Sequence, residues 1–201
     1  MSNLGVQAPR RGPGLALLVL AIPVIMFVAI AAVLIVLKVA HSPARWTAVN
    51  KTCPVLDAST AAALGMVATP LPDDNVRGAR DTSELRNCFY SPGDGSHHDL
   101  QVSVSLYQGS ILRSSHAEAV AALDEYPPSG FRPLGQQDDN HRFGDRGPGS
   151  SRLVLINLVD NAEVRVQLYN RDKLGTATDA ATENLRAPMQ AVADQAIANL
   201  G

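Results

Sequence analysis

Three groups of residues in this chain have types and spacing that chemistry uses. The densest run of oxygen donors is Asp73-Asp74-Asn75-Val76-Arg77-Gly78-Ala79-Arg80-Asp81-Thr82-Ser83-Glu84. It places oxygens at the first, third, ninth and twelfth positions of a calcium loop, with glycine at the sixth. Against that reading, Arg77 stands at a ligand position, Arg80 adds a second positive charge, and Pro70 and Pro72 deny the loop an incoming helix. A solvated loop is the expectation. His97-His98-Asp99, with Asp94 just before, offers imidazole and carboxylate to a transition metal. Neighbouring residues on a strand face opposite ways, so these histidines converge only in irregular backbone. A polar hairpin loop bounded by glycines is expected there. The third group is Cys53 and Cys88, the two cysteines of the chain. Outside the cytoplasm an even pair reads as one disulfide; inside it, as two buried thiols. There is no Gly-x-Ser-x-Gly elbow and no phosphate-binding glycine loop. No catalytic residue, metal ligand or cofactor-binding residue is therefore assigned, no cofactor is expected, and the chain is not read as an enzyme.

Compartment decides between the cysteine readings, and the N-terminal segment decides compartment. From Leu15 to Leu37 there is no charged, amide or hydroxyl side chain, and Lys38 ends the run. As a helix it would span roughly 34 Å at ~1.5 Å per residue, enough for a hydrocarbon core of about 30 Å. Pro23 is tolerable in such a helix. The run exceeds the roughly 7–15 apolar residues of a cleaved signal peptide, so it reads as an uncleaved signal anchor. The expected organisation is a cytoplasmic stub at 1–14, a transmembrane helix at 15–37, a juxtamembrane linker at 38–51 and an extracytoplasmic domain at 52–201. The stub lacks acidic residues, whereas all nineteen Asp and Glu residues lie beyond the run. With fourteen Arg and Lys after His41, that part carries about −5 in net charge (14 − 19). No basic stripe interrupts it, so nucleic acid is excluded as a partner. An exported domain favours the disulfide, whose closure would stabilise the fold by about 3–4 kcal/mol.

The elements that position these residues follow from periodicity. Asp57 to Leu64 reads as a short alanine-rich helix, capped by Asp57 or Ser59 and stopped by Gly65. Cys88-Phe89-Tyr90 reads as the start of a strand. Leu100 to Tyr107 alternates, with Leu100, Val102, Val104 and Leu106 on one face and Gln101, Ser103 and Ser105 on the other. Ser115 and Glu118 form a capping box for a second helix that ends before Pro127-Pro128. One or two short strands are expected around Phe131 and Phe143. Arg152–Val159 and Ala162–Tyr169 form a hairpin about Asp160-Asn161, its first strand apolar on both faces and therefore interior. A helix from about Thr178 to Leu200 is interrupted near Pro188. Trp46 fits either the membrane interface or the domain interior. The fold class is α+β, a two- or three-layer domain of antiparallel sheet packed with helices.

Cys53-Pro54-x-Leu56, the helix Ala61 to Gly65 ending in Leu-Gly, and Cys88 on a strand resemble an actinobacterial family. Its members are exported lipoproteins and anchored proteins that share a domain of unknown function. The resemblance covers roughly residues 50–200, including the later hairpin and C-terminal helix. It implies a Cys53–Cys88 disulfide and a small α/β/α sandwich of the Mog1/PsbP type, and it implies no enzyme activity. Tyr90 stands where the family often has Trp, and a membrane helix replaces the lipid-modified cysteine of many members. The function expected is a membrane-anchored module that docks on another envelope protein or on the cell wall. Binding of a lipid or small apolar ligand between sheet and helix is the alternative, ahead of an extracytoplasmic hydrolase.

Overall fold

The structure is a computed structural model of the 201-residue chain. It describes residues 25–36, 44–50, 52–72, 75–79, 83–93, 99–110, 113–125, 131–145, 152–169 and 179–200. The chain divides into two units, Met1–Ala40 and His41–Gly201. In the first, residues 25–36 form helix α1, exposed along its length except at Ala31. Among the described residues, no helix is long and apolar enough to cross a membrane. The rest of the expected span, residues 15–24 and 37, and the stub at 1–14 lie outside the described residues.

The second unit is built on a seven-stranded antiparallel sheet. In chain order its elements are α2 (Ala58–Leu64), β1 (Asn75–Ala79), β2 (Ser83–Tyr90), β3 (Leu100–Tyr107), α3 (Ser115–Glu125), β4 (Arg132–Pro133), β5 (His141–Asp145), β6 (Arg152–Val159), β7 (Ala162–Tyr169), α4 (Asp179–Glu183) and α5 (Arg186–Ala198). Strand order is β1-β2-β3-β7-β6-β5-β4. Two meanders, β1–β3 and β4–β7, thus lie side by side, joined in sequence through α3 and in space through β3 against β7, where Val104 faces Val164.

Alternation sorts the strand side chains onto two faces. On the inner face Leu100, Val102, Val104 and Leu106 of β3, Val164, Val166 and Leu168 of β7 and Leu153 and Leu155 of β6 form the main core. The α5 residues Met189, Val192, Ala193 and Ala196 and the α2 residues Ala61 and Leu64 complete it. On the outer face Val154, Ile156 and Leu158 of β6 pack against Ala119 and Leu123 of α3. This makes three layers, and it explains the continuous apolar sequence of β6, which is covered on both sides.

The hairpin bounds and the β3 alternation are as the sequence predicts. Asp160 adopts φ 54°, the left-handed conformation that a tight hairpin turn requires. Gly65 likewise closes α2 at φ 71°. The C-terminal helix breaks at Asn184-Leu185, and Pro188 falls in the first turn of α5, where its missing N–H forfeits no helix bond.

Four expectations need correction. Cys88 lies near the end of β2, not at its start, because the polar stretch from Ser83 to Asn87 pairs with β3. The cap of α3 is Ser114, whose Oγ accepts from the Ala117 amide at 3.2 Å; Glu118 instead accepts from Ser110 Oγ at 2.8 Å. Asp57 flanks α2 without a side-chain capping bond. The domain also begins before residue 52. Trp46 and Val49 are buried in the main core, so residues 44–50 are a strap on the domain, not a free linker.

Candidate functional site

Tight antiparallel register between β2, β3 and β7 gathers polar side chains on the outer face, beside the area that α3 covers. Asn87 lies opposite Ser103, Phe89 opposite Gln101, and Gln101 opposite Gln167. Strands ~4.8 Å apart put such cross-strand neighbours within hydrogen-bonding reach. Arg152 Nη2 donates to the Tyr169 hydroxyl at 2.5 Å, and its guanidinium stacks 4.6 Å from that ring. The Tyr169 hydroxyl has one hydrogen for two acceptors, Gln101 Oε1 at 3.1 Å and Gln167 Oε1 at 3.2 Å. Gln101 Nε2 donates to Asn87 Oδ1 and Ser103 Oγ, both at 3.2 Å. Ser103 Oγ donates to Asn87 Oδ1 at 2.7 Å. Donors thus run in one direction from Arg152 to Asn87, an arrangement in which each bond polarises the next. Ser103 is buried; Asn87, Gln101, Gln167, Tyr169 and Arg152 are half-buried.

A second polar group sits where this face meets α3. Glu163 is buried, at 2% exposure, and accepts from Arg165 Nη2 at 2.7 Å and from the Tyr107 hydroxyl at 3.0 Å. Burial, then the neighbouring Glu163 charge and its hydrogen bond, push the Tyr107 hydroxyl well above the ordinary phenol range. The carboxylate is held by a cation and a neutral donor, so its burial is compensated.

Cys53 and Cys88 form a disulfide with Cα atoms 5.7 Å apart, tying the strap to β2. Asn161 holds the other end of that strap. Its Oδ1 accepts from the Trp46 amide at 3.1 Å, and its Nδ2 donates to the Trp46 and Tyr107 carbonyls at 2.8 and 3.1 Å. In the calcium-like run, residues 75–79 and 83–84 are paired strand, so the expected solvated loop is a hairpin; positions 73–74 and 80–82 lie outside the described residues. His97 and His98 also lie outside them, while Asp99 bonds through its backbone to Tyr90 and Tyr169. Among the described residues, no group of three or more His, Cys, Asp or Glu could hold a metal ion.

Sequence reasoning missed two buried charged groups, Arg86 and Glu163. Arg86 sits on the inner face of β2, its Nη1 donating to the Asn50 carbonyl at 2.8 Å, in a stretch that reads as loop. The polar face was half visible, since Gln101 and Ser103 alternate with the core residues of β3. Its partners Asn87, Gln167 and Tyr169 become neighbours only through strand pairing.

Space for a ligand is small between the layers and wider at the rim. Between α5 and the sheet, the cavity beside Arg86, Cys88 and Val102 holds about 10 Å³, room for a single water. An open groove of about 350 Å³ runs between Arg132–Gly135 and the start of α4. Arg132 spans it, bonding Asp145 at 2.6 Å and Asp179 at 2.9 Å. Among the described residues, no serine hydroxyl is hydrogen-bonded to a histidine; His141 bonds Asp138 at 2.7 Å and His116 bonds the Asp160 carbonyl. No protein-family model matches this chain, and no curated protein matches it in sequence.

Proposed function

We propose that this chain is a membrane-anchored, extracytoplasmic interaction module that docks on a component of the cell envelope through the outer face of β2, β3 and β7. One observation carries the reading. That face holds an ordered network of Asn87, Gln101, Ser103, Gln167 and Tyr169 that closes no core. Fixing glutamine and arginine side chains costs up to ~2 kcal/mol of rotamer entropy each, and prior ordering lowers the cost of binding. The anchored location is supported by the apolar run Leu15–Leu37 and by the exposed apolar surface of α1. The Cys53–Cys88 bridge supports an oxidising compartment. Helices on both faces of the sheet support kinship with the actinobacterial exported family and its Mog1/PsbP-type sandwich. Among the described residues, nothing favours the lipid-binding alternative, since about 10 Å³ between α5 and the sheet admits no acyl chain, and nothing there favours a hydrolase.

The test is site-specific photo-crosslinking in native membranes, with the reactive group at Ser105 on the outer face or at Asp194 on α5. Docking through the proposed face gives a discrete adduct from position 105 alone. Adducts from both positions, or from position 194 alone, would overturn the choice of face. Protease added outside intact cells should remove the domain; a protected domain would overturn the orientation.

A further inference from the structure

We infer that the outer face binds a neutral polysaccharide of the cell envelope, gripped by the amide groups of Asn87 and Gln167. This rests on the docking-face reading and names its occupant. An amide group offers acceptor and donor together. Here the network consumes the acceptors: Asn87 Oδ1 accepts from Ser103 and Gln101, and Gln167 Oε1 faces the Tyr169 hydroxyl. The NH₂ groups of Asn87 and Gln167 make no bond among the described residues. The face therefore presents fixed, uncharged donors, which fit a ligand rich in uncharged acceptors such as hydroxyl, ring and acetamido oxygens.

Two other occupants fit less well. An anionic chain is ordinarily held by forked guanidinium groups, but Arg152 is engaged with Tyr169 and Arg165 with Glu163 within the face itself. A protein partner needs an apolar or aromatic centre with a polar rim. Here the order is inverted: amides and a serine fill the middle, Leu85 and Phe89 flank Asn87 along β2, and the Tyr169 ring lies at the end of β7. Neither described cavity lies on this face, and a sheet surface without a pocket among the described ones suits an extended chain better than a single sugar.

The experiment uses the full chain in phospholipid nanodiscs, which carry no sugar headgroup, on an array of hexose and N-acetylhexosamine oligosaccharides of graded length. The expected result is binding that strengthens with chain length and persists in high salt. Gln167→Glu keeps the shape and the acceptor for Tyr169 but removes the donor, and it should weaken binding about five- to tenfold. Asn87→Asp does the same at the other donor, and thermal unfolding identifies any variant that fails to fold. Binding only to acidic glycans, binding independent of length, or binding unchanged in both folded variants would overturn the inference. No glycan binding, together with a protein adduct from position 105, would overturn it while leaving the docking face standing. No binding and no adduct from that face would remove both.

Discussion

Tyr107 and Glu163 show how a buried charge is accommodated at a single contact. The phenol donates to the carboxylate at 3.0 Å, while Arg165 approaches from the other side at 2.7 Å. The Tyr107 hydroxyl is held above its ordinary value of 10.0, first by burial and then by Glu163. The sign follows from proton linkage. Above pH ~10 the unfolded chain releases this proton and the folded chain keeps it, so stability is full below that pH and falls as pH rises. Tyr107→Phe should lower stability at neutral pH by about 1 kcal/mol and flatten the alkaline limb. Urea unfolding at neutral pH and above pH ~10 measures both; equal alkaline slopes in the two proteins would refute the linkage. None of this was legible in the sequence. Glu163 alternates with the core residues of β7 and reads as a solvent-facing charge. Only the register that sets it beside β3, together with α3 overhead, buries it.

The secondary-structure elements divide by how local their signals are. β3, β6 and β7 were legible to the residue, because alternation and a two-residue turn specify them without outside help. The early part of β2 was not: Ser83-Glu84-Leu85-Arg86-Asn87 has the composition of a loop and is strand because β3 pairs with it. α2 ends where Gly65 turns left-handed, donating its amide to the Ala62 carbonyl. A Cβ placed at Gly65 meets nothing within 4 Å, so substitution there tests backbone conformation alone. Gly65→Ala should destabilise the domain by about 1 kcal/mol, and Gly65→Asn by less, since asparagine tolerates this conformation. Thermal melts of the two variants give the order; equal losses would argue against the cap as the cause.

At the scale of the whole molecule, the strap joins parts that are far apart in sequence. Asn161 bonds the Trp46 backbone across 115 residues, and Arg86 reaches the Asn50 carbonyl across 36. This explains why the strap reads as a linker. Its sequence lacks periodicity, and the groups that hold it lie in a distant turn and in a strand disguised as loop. Asn161→Ala leaves the Trp46 amide and two carbonyls without their partner, and should cost about 2–4 kcal/mol in chemical denaturation. Removal of the disulfide by the paired change Cys53→Ser and Cys88→Ser should cost about 3–4 kcal/mol, most of it through the unfolded chain. If the domain melted unchanged without the bridge, that entropic account would fail.

The strap also settles where a pull would enter the domain. Tension on the chain from the N-terminal side first meets the Asn161 grip at Trp46 and, seven residues later, a covalent junction at Cys53. From there the force divides, one path through α2 and the other across the sulfurs into β2, next to the interior of the sheet. The segment from residue 54 to 87 lies within that closed ring, so α2 and β1 are bypassed and cannot be drawn out while the bridge holds. The domain would thus yield first at the two hydrogen bonds between Asn161 and the Trp46 backbone, and would otherwise pass the strain into its broadest stack of strands. Under reducing conditions the same tug would unravel the N-terminal third of the domain in sequence.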